Sequence, residues 1–210
     1  MTTTSPSRVR VLGLDPGFAS IGWTVLHVGD GSPECVGAGV FRTSRDNTIA
    51  KNVDTLQRIE RIAKFLDYLK VQFSPHLIGC EGMSWTRFAN ADRSVAFFWG
   101  VLGAFSSMHN SNTRPPIVQT TPSDLKMIIA GKKSASKDEV KEAACKQVTN
   151  LRHELGRINA KAQRNHASDA AAAALAALSS PIGRLASAMR GNEHFDFYNR
   201  KEDECSTNES

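Results

Sequence analysis

The chain has 210 residues, 40% of them hydrophobic and 22% charged, with a formal net charge of +5; that is long enough for one domain with a substantial core, with no need of disulfides for stability. Its four cysteines (Cys35, Cys80, Cys145, Cys205) are scattered, with no Cys-x-x-Cys pair to suggest a zinc or redox motif, so reduced thiols in a cytoplasmic compartment are expected. No apolar run reaches the roughly 20 residues that span a bilayer, and the polar start lacks a signal peptide's apolar core, so no membrane association is expected.

The charge is uneven. Residues 191 to 210 hold six acids against Arg200 and Lys201, net −4, which leaves +9 on residues 1 to 190. Between Lys126 and Arg164 ten basic residues face four acids. Such a stripe suits a polyanion partner, although a solvated basic face reads the same way.

Residues 1 to 7, rich in Thr and Ser, read as a disordered start, residues 8 to 190 as one domain, and residues 191 to 210 as a flexible acidic tail. Strand-like runs at 8–14, 21–28 and 35–41 are separated by Gly-containing turns, short enough for antiparallel neighbours. From Val53 the period changes. Val53, Leu56, Ile59, Ile62, Leu66, Leu69 and Phe73 recur every three or four residues, which predicts an amphipathic helix. A short apolar strand at 76–80 ends at Glu81, a helix follows over about 90–109, and a fifth strand lies near 117–119. Thr121-Pro122-Ser123-Asp124 starts a helix that ends near Gly131, and the capping box Ser136 to Glu139 starts another running to about Asn150. An alanine-rich helix opens near Asn165 and closes before Pro181. Three antiparallel strands followed by strand–helix alternation predict an α/β fold: a ribonuclease H-like mixed five-stranded sheet flanked by helices.

Two of those strands end on a carboxylate, Asp15 before Pro16-Gly17 and Glu81 before Gly82, and the alanine-rich helix carries His166 and Asp169 three residues apart on one face. Phosphodiester hydrolysis needs an activated water, in-line geometry and neutralisation of charge on the attacking and leaving oxygens; two Mg²⁺ about 3.5 to 4 Å apart supply all three. Magnesium takes oxygen ligands, so Asp15, Glu81 and Asp169 suffice to hold it, with His166 as a further ligand or as the group that positions or activates water. Each residue also has a plainer reading. Asp-Pro-Gly is a turn, Glu81 a solvated strand end, and an acid in a helix's first turn complements its dipole.

In combination these residues resemble the RuvC-type Holliday-junction resolvases, over residues 9 to 178. Gly13-Leu14-Asp15-Pro16-Gly17 with Gly22 is similar to that family's first motif, Cys80-Glu81 and the following helix to its second, and His166-Ala167-Ser168-Asp169-Ala170 to its last, whose first place holds Asp in some members and His in others. The stretch Thr121 to Lys126, continuing through Gly131, Lys137 and Val140, resembles the segment that carries the family's basic DNA contacts. The resemblance implies a homodimer that nicks opposing strands of a four-way junction with two Mg²⁺ (or Mn²⁺) per active site and leaves ligatable 5′-phosphates; a helicase partner is unknown. Lys126, Lys132, Lys133 and Lys137 are the expected DNA contacts, with Arg87 beside them; the aromatic that reaches into the junction is Trp85 or Phe88. Alternatives are a broader fork or flap endonuclease, a non-catalytic junction-binding dimer, and an actin-like phosphotransferase, for which the chain is short and lacks a Gly-rich adenosine motif.

Overall fold

The computed structural model describes residues 8–82, 89–107 and 115–188, with the backbone alone at 89–95, 106 and 107. Trp85, Arg87, Phe88 and the acidic tail lie outside the described residues. The chain runs β1 (Val9–Asp15), β2 (Ser20–Val28), β3 (Glu34–Arg42), α1 (Lys51–Phe73), β4 (Leu77–Glu81), α2 (Ala89–Ser107), β5 (Ile117–Thr120), α3 (Pro122–Ala130), α4 (Lys137–Gln147), α5 (Leu151–Gly156), α6 (Lys161–Ser179) and α7 (Pro181–Ala188). The five strands form one sheet in the order β3-β2-β1-β4-β5. β1, β2 and β3 pair antiparallel through short connections, and β4 and β5 pair parallel, reached through the helical crossovers that parallel pairing requires. The expected mixed sheet is therefore present.

Strand alternation splits the core into two layers. Val9, Val11 and Leu77 face α6 along with the sides of α3, α4 and α5, while Leu12, Leu14, Ile78 and Cys80 face α1 and α2 around Phe98 and Leu102. Continuing the same alternation along β1 and β4 sends Gly13, Asp15, Gly79 and Glu81 to the α6 face.

α6 lies on that face at backbone contact distance. A Cβ added to Gly13 would come within 1.9 Å of the Ala170 carbonyl oxygen, one on Gly22 within 2.1 Å of that of His166, and one on Gly79 within 2.2 Å of that of Ala173. Three glycines on three adjacent strands thus seat successive turns of one helix, and the buried alanines from Ala167 to Ala177 fill the remaining gap without holding the helix away. The Thr24 hydroxyl donates to the Ala167 carbonyl (2.9 Å), fixing the helix along its axis.

Three expectations need correction, and one, that the alanine-rich helix closes before Pro181, holds but lacks the helix that follows. α6 starts at Lys161 rather than near Asn165, so His166 and Asp169 sit in its second and third turns; its N-cap, Ala160, has no capping side chain to advertise the start. The helix expected to reach Asn150 stops at Gln147, and a separate short helix, α5, follows. Pro181 ends α6 by starting α7, with the Ser180 hydroxyl accepting from the Gly183 N–H as a cap. In α1 the expected apolar face is broken at its start: Val53 and Leu56 are 43% and 67% exposed, and Asp54 is buried in their place.

Candidate active site

Asp15 and Glu81 end parallel neighbouring strands. Leu14 pairs with Cys80, so the two carboxylates stand in the next position of the same register, at the carboxyl ends of the strands, on the face that α6 covers. His166 and Asp169 come down onto this edge from α6. His166 Nδ1 donates to Asp15 Oδ2 at 2.6 Å, joining residues 151 apart in the chain. Asp169 Oδ2 accepts from Lys137 Nζ at 3.0 Å, from the first turn of α4. Asp15 and Asp169 are mostly buried, whereas Lys137 and His166 remain open to solvent on the outer side. Asp15 thus accepts a hydrogen bond from another element besides ending its strand, and Asp169 lies beyond the turn of α6 where an acid complements the dipole.

The carboxylates crowd one another. Glu81 is pushed up from 4.5 to about 7, first by burial and then by the negative charges of Asp15 and Asp169, which Lys137 and Lys126 only partly offset. Burial also raises Asp169, with Lys137 holding it back. His166 is raised chiefly by its hydrogen bond to Asp15. Partial burial works against the charge on Lys137, and the hydrogen bond to Asp169 with the field of the carboxylates outweighs it.

Among the described residues no three His, Cys, Asp or Glu side chains stand close enough together to clasp one ion as they are turned; Asp15 faces His166 and Asp169 faces Lys137. The donor chemistry nonetheless fits a divalent cation. Three carboxylates converge on one partly buried edge, where burial first and their mutual repulsion second raise Glu81; a hard cation with oxygen ligands answers both.

The basic residues expected to meet DNA surround this edge unequally. Lys126, on α3, is half-buried and lies near enough to lower Glu81. Lys132 and Lys133 follow Gly131, whose left-handed backbone (φ 75°) ends α3; both are exposed, and Lys132 is paired with Glu139. Lys137 is committed to Asp169. Sequence reasoning passed over Thr24 and Gly79 as site-builders and named Gly22 only as part of a motif. The signal was a polar residue and two glycines on the inward-facing positions of otherwise apolar strands.

Comparison with known proteins places this arrangement. The family model for crossover junction endodeoxyribonuclease RuvC matches residues 11–177. The crossover junction endodeoxyribonuclease RuvC of Natranaerobius thermophilus is 30% identical over 141 residues, covering 67% of this chain and 81% of that protein, and that of Synechococcus sp. strain RCC307 is 30% identical over 172 residues, covering 80% and 98%. Among solved structures, Thermus thermophilus RuvC in complex with Holliday junction substrate superposes with a TM-score of 0.63 at 22% identity, covering 83% of this chain and 97% of that one. The yeast mitochondrial Holliday junction resolvase follows with a TM-score of 0.61 at 14% identity, covering 83% and 79%. These structures share the ribonuclease H-like mixed five-stranded sheet. With nearly all of the described core inside the matched span, the chain belongs to the RuvC crossover junction endodeoxyribonuclease family.

Proposed function

We propose that this protein is a metal-dependent endonuclease that resolves four-way DNA junctions, with Asp15, Glu81, His166 and Asp169 as its active site. The observation that carries the reading is the convergence of three carboxylates on one sheet edge, with Glu81 raised to about 7 by burial and by its acidic neighbours. Asp15, Glu81 and Asp169 would hold Mg²⁺, or Mn²⁺ in its place, two ions per site, with His166 as a fourth ligand or as the group beside the water. Bound there, the metal would activate water and neutralise charge on the phosphodiester oxygens, giving a 5′-phosphate product.

The protein's own residues then have separable tasks. Asp15 holds the His166 proton at Nδ1, which leaves Nε2 as the nitrogen that orients a water or takes its proton. Lys137, exposed beside Asp169, presents positive charge where a scissile phosphate would lie. Lys126, Lys132 and Lys133 extend that positive surface, and contacts of this kind fix the backbone without reading sequence. Trp85 and Arg87 would meet the junction where its bases open.

A homodimer suits a two-fold substrate. α2 supports it: Ala96, Phe97, Gly100, Gly103 and Ala104 are exposed, and a Cβ on either glycine would meet nothing within 4 Å, so a second helix can approach closely. Residues 8 to 190 would then be the nuclease domain and residues 191 to 210 an appended acidic tail. Among the described residues no helix is long and apolar enough to cross a membrane, and we place the enzyme in the cytoplasm of a bacterial cell or phage-infected host.

The test is a substrate panel of an immobile four-way junction, a Y-fork and a linear duplex, with Mg²⁺, under conditions where light scattering reports a dimer. Paired symmetric nicks confined to the junction are expected. Equal cutting of the fork would replace the reading with that of a general branched-DNA nuclease.

A further inference from the structure

Charged side chains of an amphipathic helix normally take the solvent face, and α1 breaks that rule in its first two turns. Asp54 and Arg58 occupy the buried stripe that Ile62, Leu66 and Leu69 continue, while Val53 and Leu56 face solvent. Asp54 is 4% exposed and the Arg58 side chain 13%, and their charged groups are 3.9 Å apart. A buried pair of this kind is no better for stability than apolar residues of the same volume. Local departures from pattern that do not stabilise a fold gather at functional sites.

Arg58 grips the segment that follows Asp15. Arg58 Nη2 donates to the Phe18 carbonyl (3.2 Å) and Arg58 Nε to the Thr43 hydroxyl (2.9 Å), while that hydroxyl donates its own proton to the same Phe18 carbonyl (2.6 Å). The Thr43 N–H donates to the next carbonyl, Ala19 (3.0 Å). Above the backbone, the guanidinium lies 4.0 Å from the centroid of the Phe18 ring. Asp54 completes the clamp by accepting the Asp46 N–H at 2.9 Å, which folds the loop after β3 against α1. The Phe18 carbonyl is thus held from α1, on the side of the sheet away from α6, and the Ala19 carbonyl by one further rung of the β2–β3 pairing beyond Ser20 and Arg42.

We propose that Thr43 and Arg58 are positioning residues for cleavage: they fix the turn through which the chain leaves Asp15, and so hold the Asp15 carboxylate against His166. The inference rests on the nuclease reading above. Neither side chain belongs to the set proposed to meet metal or DNA, so their effect is on geometry. Misplacing a reacting group by about 1 Å costs on the order of 100-fold in rate.

Thr43→Val keeps the shape and removes the hydroxyl, and Thr43→Ser restores it. Single-turnover junction cleavage, the Mg²⁺ concentration for half-maximal rate, and junction affinity in EDTA are measured for each. For Thr43→Val we expect cleavage slowed roughly 10- to 100-fold and a higher Mg²⁺ half-point, with affinity within about twofold of wild type; Thr43→Ser should recover most of the rate. If Thr43→Val does not fold, the double variant Asp54→Asn with Arg58→Gln removes both buried charges together and takes the same measurements. A wild-type rate, or a loss of affinity that accounts for the whole loss of rate, overturns the inference. Should wild type cut no DNA, the nuclease reading fails instead, and the hydrogen-bonded His166 Nδ1 proton decides the geometric claim by NMR: unchanged in Thr43→Val, it overturns that claim too.

Discussion

Replacing Glu81 with Gln should stabilise the metal-free protein, and by an amount that depends on pH. The folded protein holds the Glu81 proton up to about pH 7, against an ordinary value of 4.5. Between those values the native state binds more protons than the unfolded state, so stability falls as pH rises through this window; above about 7 the carboxylate is charged in both states and the penalty is complete. A difference of this size corresponds to about 3 kcal/mol, or a melting shift of roughly 6 to 12 °C for a chain of this length. Gln has nearly the same shape and no charge, so Glu81→Gln should melt higher than wild type at pH 8.5 in EDTA, and the two should converge near pH 4.5. Saturating Mg²⁺ should then close most of that gap, since an ion bound at 100 times its dissociation constant adds about 2.7 kcal/mol to the form that binds it. Thermal melts over pH 4.5 to 8.5, with EDTA and with Mg²⁺, make the comparison. A Glu81→Gln gain independent of pH, or no gain at pH 8.5, would refute the claim that crowded carboxylates destabilise this edge.

Cleavage at saturating substrate should rise with pH between about 6 and 8, because in the proposed mechanism Glu81 loses its proton to hold metal and His166, raised by Asp15, loses its own to accept one from water; a rate flat across this window would remove both groups from the chemistry. Lys132→Ala combined with Lys133→Ala should weaken junction binding and reduce the slope of log affinity against log salt by up to about 2, and an unchanged slope would mark both as solvated bystanders. Gly79→Ala puts a methyl group against the Ala173 carbonyl, so it should lower stability by about 1 to 3 kcal/mol or more and depress cleavage by tilting α6; a variant as stable and active as wild type would show that the glycine seat does not set the site.

Much of this arrangement was legible in the sequence because it follows from short-range pattern. Alternation along β1 and β4 delivers Asp15 and Glu81 to one face, and three-residue spacing puts His166 and Asp169 on one side of α6. Illegible were contacts between distant segments: Asp15 with His166, Asp169 with Lys137, and the carbonyls of Phe18 and Ala19 with Thr43. The α1 face was misjudged for a physical reason. Periodicity assumes that charge seeks water, and Asp54 and Arg58 are buried because hydrogen bonds to other segments replace that water. α5, at six residues, is too short for a periodic signal, and Pro181 reads as a stop whether or not a new helix begins on it.

The central claim is that the acidic edge cuts DNA with a metal while the basic surface binds it. A single immobile four-way junction, incubated with wild type and with Asp15→Asn in Mg²⁺ or EDTA and scored for both binding and nicking, tests that claim directly. The account predicts that both proteins bind with similar affinity and that only wild type with Mg²⁺ nicks the junction. Nicking by Asp15→Asn at a comparable rate, or by wild type in EDTA, would contradict it.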